Sequence, residues 1–441
     1  MLQGRVQALL LLKRQEAALK ILYISQYYPP EMGAPAARVS ELARHWTHTG
    51  HEVTVLTGFP NHPDGIVRPE YRSRFRRLIS REIADGIKVV RTWLLPFPNR
   101  KAYERMLNYS SFCVSAAFTA SFLDRPDVVI ATSPQLLVGL SGWWASRVKG
   151  VPFVLEVRDL WPESLTAVGM GNANSVLHRS LSKIAGFLYR KAEHVVVVTP
   201  AFRERLISHW EVPAAKISVI QNGVETELFS PRNRDPELIK QLNADGRFVV
   251  SFIGTLGLAH CLDTVLAAAE RLQAAAPDVM FMLLGEGADR ERIAALAQAR
   301  SLKNICFVPQ QPREKIPAYI SASDACLVVL KKSDVFETVI PTKMLEFMSC
   351  ARPVILGVAG QAKQLLDRSR GGICVEPENA AALCDAIVRL KRDPKFCETL
   401  GRNGRDYIVQ NLSRQRTAVE YLETLHRLLD ENVAAATAAA A

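Results

Sequence analysis

Apolar and polar positions fall into two series along the chain, each a run of short apolar stretches separated by longer ones with helical spacing. In the first series, 20–27 (KILYISQY) has an apolar centre and predicts a strand. It is followed by 37–47, with Val39, Leu42, Ala43 and Trp46 on one helical face, and by a second strand at 52–58. Further strand-like runs lie at 87–92, 128–132, 153–157, 194–199 and 217–220. The second series opens with a strand at 248–255. It continues as helix 262–273, strand 279–284, helix 289–299, strand 305–308, helix 316–322 and strand 325–330. The stretch 341–355 (PTKMLEFMSCARPVI) then predicts a helix presenting Met344, Leu345, Phe347 and Met348 to a core. Pro341 stands at its start, Thr342 at the N-cap, and a strand follows at 354–356. Amphipathic stretches at 380–390 and 400–429 close the pattern.

Strands alternating with helices predict parallel sheets, and two such series predict two doubly wound α/β domains. The stretch 221–235 (QNGVETELFSPRNRD) lacks periodicity and reads as a linker. The expected organisation is an extension outside the fold at 1–18, an N-terminal domain at 19–220, and the linker at 221–235. A C-terminal domain at 236–400, a terminal helix at 401–429 and a disordered tail at 430–441 complete it.

Charge separates the two halves. The first 210 residues carry 27 Lys+Arg against 16 Asp+Glu, a net of +11; the remainder carries 28 against 28. Within the basic half, the stretch 71–81, from Tyr71 to Arg81, packs Arg72, Arg74, Arg76, Arg77 and Arg81 closely. It is either a solvated face or a patch for anionic lipid headgroups. No nucleic-acid motif accompanies it, so nucleic acid is not an expected partner. The helical stretch 101–122, from Lys101 to Phe122, begins basic and becomes apolar, which suits core packing or shallow docking on a membrane surface. No window resembles a transmembrane helix. The eight Cys show no CxxC and no Cys/His ligand spacing, which predicts reduced thiols and no zinc site.

Candidate chemistry collects where strands end. Gly33 lies in the turn after the first strand, outside any GxGxxG fingerprint, so a dinucleotide is not expected. After the strand at 153–157 comes RDLWPES. There Arg158 is either an ion-pair partner of an acid or a charge clamp beside Asp159, a candidate general base. Gly254 and Gly257 occupy the first turn of the second series, and Gly285 and Gly287 end another strand. The helix start near Thr342 offers unpaired N–H groups to an anion. Glu346, one turn further, can accept hydrogen bonds from the vicinal hydroxyls of a ribose.

Taken in order, PPEMGAPAARVSELARHW, GHEVTVLTG, RDLWPES, VIQNGVETELFSP, FIGTLG, LLGEG and PTKMLEFMSCARPVI make the chain resemble a family 4 glycosyltransferase of the GT-B type. Within that family it is similar to enzymes of colanic-acid, capsule and O-antigen synthesis, including fucosamine-transferase-like members. The resemblance implies two Rossmann-like domains facing across a cleft, with the C-terminal helix returning to the N-terminal domain. It implies a retaining transferase moving a sugar from a nucleotide-sugar donor, UDP-type favoured, to a polyprenyl-linked glycan. No cofactor or metal is implied. The implied location is cytoplasmic, peripheral on the inner face of the plasma membrane.

Carried over residue by residue, the resemblance implies that Glu346 binds the ribose and that Thr342 and Lys343 lie against the diphosphate. Gly254, Thr255, Gly257 and His260 form the phosphate turn. Val308 and Pro309 flank the base with Glu286 nearby, and Gly33 sits close to the sugar. Many members carry two Glu residues eight apart. Here Thr338 holds the first position and Glu337 stands one place off: either the loop shifts to present Glu337 as that catalytic carboxylate, or the carboxylate is absent. Thr255 and His260 replace an Arg and a Lys of many members, so Lys343 or a protonated His260 would have to compensate. Arg158 replaces the family's usual His, leaving Asp159 as the acidic neighbour. A sugar-nucleotide epimerase and a non-catalytic partner subunit on the same fold are the alternatives.

Overall fold

A computed structural model of the chain describes residues 18–62, 65–97, 102–164 and 175–440. The chain divides into two compact units, Met1–Gln221 with Gln415–Ala441, and Asn222–Arg414. The predicted extension at 1–18 lies, but for its last residue, outside the described residues.

The first unit contains strands β1 (Lys20–Ile24), β2 (Glu52–Gly58), β3 (Ile79–Ala84), β4 (Ile87–Thr92), β5 (Val128–Thr132), β6 (Phe153–Val157), β7 (His194–Val197) and β8 (Ile217–Val219). They form one sheet in the order β3-β4-β2-β1-β5-β6-β7-β8. Every pairing is parallel except β3 with β4. Strand order reverses between β1 and β5, which is where doubly wound sheets open a crevice at their carboxyl ends.

Strand β3 was not predicted. It is an edge strand whose Ile79, Arg81 and Ile83 all face outward, so it shows no apolar core. The terminal helix Arg414–Ala440 packs on this unit. Ala418, Tyr421 and Leu425 are buried, Trp46 Nε1 donates to Ala418 O at 3.0 Å, and the Trp46 and Tyr421 rings meet edge to face at 5.2 Å.

The second unit contains β9 (Phe248–Ile253), β10 (Val279–Leu284), β11 (Ile305–Val308), β12 (Ala325–Val329), β13 (Val354–Gly357) and β14 (Gly372–Cys374). Its sheet runs β11-β10-β9-β12-β13-β14, all parallel. Helices cover both faces, which is why β10 and β12 read as unbroken apolar runs rather than alternating ones. The switch point lies between β9 and β12.

Three expectations need correction. The stretch 221–235 is not a free linker: Val224 and Phe229 are buried in the second unit's core, and Val224 N donates to Leu412 O at 2.9 Å. The stretch 400–429 is not one helix. Pro394–Asn411 ends at Leu412, where Val224 bridges to Ser413, and Arg414–Ala440 begins afresh. That second helix also runs through 430–440, predicted to be disordered. The helix Gln361–Ser369 and β14 went unpredicted, being short and strongly polar or Gly-bounded.

Candidate functional site

At the switch point of the second unit, three turns stack tightly. Gly254 follows β9 with φ +136°, and a Cβ on Gly285 would lie 2.0 Å from Gly254 O. Only glycine permits that approach. Gly254 N donates to Leu284 O and Leu256 N to Glu286 O, both at 2.9 Å, while Lys331 N reaches Ala259 O from the end of β12.

The helix Thr342–Ser349 aims its start at this turn because Met344, Leu345, Phe347 and Met348 bury its other side. Pro341, not Thr342, occupies the N-cap position, and no side chain caps this end. Lys343 Nζ lies 3.6 Å above the Phe252 ring centroid and 3.6 Å from the place of a Cβ on Gly254. The nitrogen is sealed from solvent and has no hydrogen-bond partner. Burial pulls its pKa down to about 7, against the attraction of Glu346.

His260 sits beside this ammonium, its ring edge-on to Phe252 at 5.4 Å, with Nδ1 sealed and unpartnered. Burial, and then Lys343, hold its pKa down to about 3. His260 is therefore held neutral near pH 7, and of the two cations the sequence offered Lys343 is the one left to bring positive charge here.

Glu346 receives Arg313 Nη1 on Oε1 at 2.8 Å, and Arg313 in turn lies over the Phe229 ring at 4.8 Å. Val308 is buried at the end of β11, and Pro309 is exposed just beyond it. Thr255 is exposed, Gly257 packs against the His260 ring, and Glu286 pairs with Arg290 at 3.4 Å. Glu337 ends the short helix Asp334–Glu337 with an exposed side chain. Its backbone carbonyl leaves no room for a Cβ on Gly360.

In the first unit, Gly33 with φ +128° precedes the helix Ala34–His48. The guanidinium of Arg158 donates to Ala34 O at 3.0 Å and Pro35 O at 3.3 Å, while its Nε is sealed without a partner. The buried ion pair here is a different one. Arg38 Nη2 meets Glu156 Oε1 at 2.8 Å, with Tyr23 and Thr132 donating to Oε2. So Arg158 braces the helix start after Gly33. Asp159 follows it in a largely enclosed site near Ser133, Gln135, Leu136, Trp161 and Tyr189. Burial pushes its pKa up to about 6, although Arg158 opposes the shift.

Solved structures with this architecture are numerous. Sucrose-phosphate synthase from Thermosynechococcus elongatus superposes with a TM-score of 0.75 at 22% identity, covering 93% of this chain and 99% of that one. Anabaena HepE, solved in complex with UDP and glucose, gives a TM-score of 0.68 at 19% identity and covers 92% of this chain and 99% of its own. The model of the glycosyl transferase 4-like domain matches residues 33–223, and that of glycosyl transferases group 1 matches 234–407. The chain belongs to the GT-B glycosyltransferases of family 4.

Among relatives of this glycosyltransferase is WcaI of Escherichia coli K12, described as a putative colanic acid biosynthesis glycosyl transferase. It is 24% identical over 421 residues, spanning 92% of this chain and all of WcaI. The probable glycosyltransferase WbjE of Pseudomonas aeruginosa is 23% identical over 74% of this chain and 80% of its own.

The fold gathers Gly254, Gly257, His260, Lys343 and Phe252 at one turn of the glycosyltransferase, and Glu346 with Arg313 beside the same helix. Glu286 turns instead to Arg290, and Glu337 stands exposed at the end of its short helix. Sequence reasoning missed Arg313, Phe229 and Phe252, and in the first unit Glu156, Arg38 and Glu31. Glu31 is buried in the PPEMGAP loop, where Asn61 N and His62 N both donate to its Oε1 at 3.0 Å; burial pushes its pKa up to about 7. A carboxyl in an otherwise apolar, Pro-rich loop was the available sign.

Proposed function

We propose that this glycosyltransferase moves a sugar from a UDP-type nucleotide-sugar to a polyprenyl-linked glycan, with retention, in the assembly of a bacterial exopolysaccharide, capsule or O-antigen. Lys343 carries the reading: a sealed ammonium without an acceptor, at the switch point of a doubly wound sheet, is a site awaiting an anion. In this reading the diphosphate lies at that turn, where Gly254 lets backbone approach closely and the uncapped helix start adds its N–H groups. Glu346 then takes the ribose hydroxyls, and Val308 and Pro309 border the base. The UDP-type donor is supported by HepE, whose structure holds UDP and glucose, and the polymer class by WcaI. No metal enters the scheme, since Lys343 and the helix start supply the charge for the leaving diphosphate. Asp159 takes the proton of the acceptor hydroxyl as that oxygen bonds to the anomeric carbon on the same face from which the diphosphate departs, which keeps the configuration.

Calorimetric titration of UDP into the wild type and Glu346→Ala tests the donor assignment. The variant is expected to bind roughly 10- to 100-fold more weakly, the range for losing hydrogen bonds to a charged group. Equal affinities would remove the ribose contact. Transfer is read by following label from a UDP-sugar into a polyprenyl-linked product, whose anomeric configuration reports retention.

We further propose that the enzyme meets its acceptor on the cytoplasmic face of a membrane. Among the described residues no helix is long and apolar enough to cross one. The helix Ala102–Ser121 leaves Val114 and Phe118 70% and 63% exposed, and Phe122 beyond its end is 70% exposed. Trp144 joins them, bonded through Nε1 to Ser121 Oγ, and the five arginines of 71–81 are exposed in the same unit. An apolar patch in a basic unit suits an anionic bilayer, with about 1 kcal/mol per cation near the surface. Phe118→Asp with Phe122→Asp should cut co-sedimentation with phosphatidylglycerol vesicles at least about fivefold. UDP affinity should be unchanged; undiminished sedimentation would discard this surface.

A further inference from the structure

Glu346 is held from outside its own helix. Arg313 stands on the 3₁₀ turn Arg313–Lys315, set by Pro312 before it and by Lys315 N donating to Pro312 O at 3.0 Å. Its guanidinium lies 4.8 Å over the Phe229 ring and donates from Nη1 to Glu346 Oε1 at 2.8 Å. Phe229 is itself fixed. It is fully buried, and its carbonyl accepts from Ser349 Oγ at 2.6 Å and Arg405 Nη1 at 2.9 Å. Arg405 also reaches Ser349 O at 2.7 Å, and Ser349 is three residues beyond Glu346 on the same helix. One clamp thus binds the ring to the helix, and the planar guanidinium bridges ring and carboxylate.

We infer that Arg313 is a positioning residue of this glycosyltransferase, fixing the plane of the Glu346 carboxylate for two vicinal hydroxyls of the donor ribose. The inference rests on the proposed ribose contact of Glu346. The Glu346 side chain is only 12% exposed, so it cannot rely on water to orient it before the donor arrives. A carboxylate has about four acceptor positions, and a guanidinium donating to one of its oxygens fixes the rotamer. Lysine could keep the charge but would lose the planar guanidinium that lies over Phe229. A purely structural ion pair would leave hydroxyl recognition indifferent to Arg313.

Titration of UDP and 2′-deoxy-UDP into the wild type, Arg313→Met, Arg313→Lys, Glu346→Ala and the double variant Arg313→Met/Glu346→Ala separates the two roles. Methionine can still cover the Phe229 ring. The wild type should prefer UDP by about tenfold, the worth of one hydrogen bond to a charged group. Arg313→Met should erase most of that preference, weakening UDP about 5- to 10-fold more than 2′-deoxy-UDP, which keeps only the 3′-hydroxyl contact. Arg313→Lys should restore only part of it. On Glu346→Ala, adding Arg313→Met should change UDP affinity less than about twofold, the mark of residues acting as one unit.

A preserved preference in Arg313→Met, with only a lowered Tm, would overturn the positioning role while leaving Glu346 in place. An intact preference in Glu346→Ala would overturn the ribose contact and this inference together. Should Arg313→Met give no cooperative melt, the same comparison is read from Arg313→Lys, whose undiminished preference would equally overturn the role.

Discussion

Replacing Asp159 by Asn is expected to lower kcat by about 10²- to 10⁴-fold, the usual contribution of a positioned general base. The fold should survive, and the direction of the pKa shift says why. Burial raises the Asp159 carboxyl to about 6 from an ordinary 3.8. A group raised in the folded state gives its full stabilisation below its unfolded pKa and loses it as pH rises through the folded one. At pH 7.5 ionised Asp159 therefore costs stability, and the isosteric amide removes that cost. Asp159→Asn should melt at the wild-type Tm or above it while losing turnover. The wild-type rate should climb with pH through about 6, and the variant's residual rate should lack that limb. A variant within about twofold of wild-type kcat would end the assignment of Asp159 as base. Loss of turnover together with a collapsed Tm would point to Ser133, whose Oγ accepts from the backbone N–H of both Arg158 and Asp159, as the element disturbed.

What the sequence made legible, and what it hid, follows from range. Strands buried on both faces, such as β9, β10 and β12, announce themselves because every residue is apolar, and the helix Thr342–Ser349 because four core residues recur on one side. Gly254 was readable as a turn. That Gly285 must pack against its carbonyl was not, since the two are joined only by the pairing of β9 with β10. The partners of the site lie far along the chain. Arg313 is 33 residues from Glu346, and Arg38 is 118 from Glu156, so neither pair leaves a local spacing to find. RDLWPES suggested an ion pair of Arg158 with an acid at the end of β6, but the guanidinium of Arg158 donates to backbone carbonyls instead. The acid in the ion pair is Glu156, inside an apparently apolar strand, and its cation comes from the helix after Gly33. Phe229 was lost because irregular, polar neighbours made 221–235 look unattached, although its few apolar residues are anchors in the core.

Removing the Lys343 amine should make the protein more stable and a poorer binder at once. In the folded chain the amine sits at about 7, down from 10.5, so between those values the unfolded state holds a proton that the folded state lacks. Stability then rises with pH across that window, and below about 7 the folded protein must carry a sealed ammonium with no hydrogen-bond acceptor. Lys343→Met keeps the stem against Phe252 and drops the charge, so its Tm at pH 6 should exceed the wild type's.

Binding runs the other way. A diphosphate beside Nζ favours the charged form, so wild-type affinity for a UDP-sugar should fall as pH rises through about 7. The UDP-sugar is the proper probe, because its diphosphate ester has no ionisation in that range. At pH 8 binding should take up a proton, read from calorimetry in buffers of different ionisation enthalpy. Lys343→Met should bind about 10- to 100-fold more weakly at pH 6, the loss expected for a charge-assisted bond, and show no proton uptake. His260→Gln should leave the uptake in place, since His260 is neutral throughout this range. If the wild type binds with the same affinity at pH 6 and pH 8, then Lys343 does not meet the phosphates, and the turn around Gly254 must present some other group to the donor.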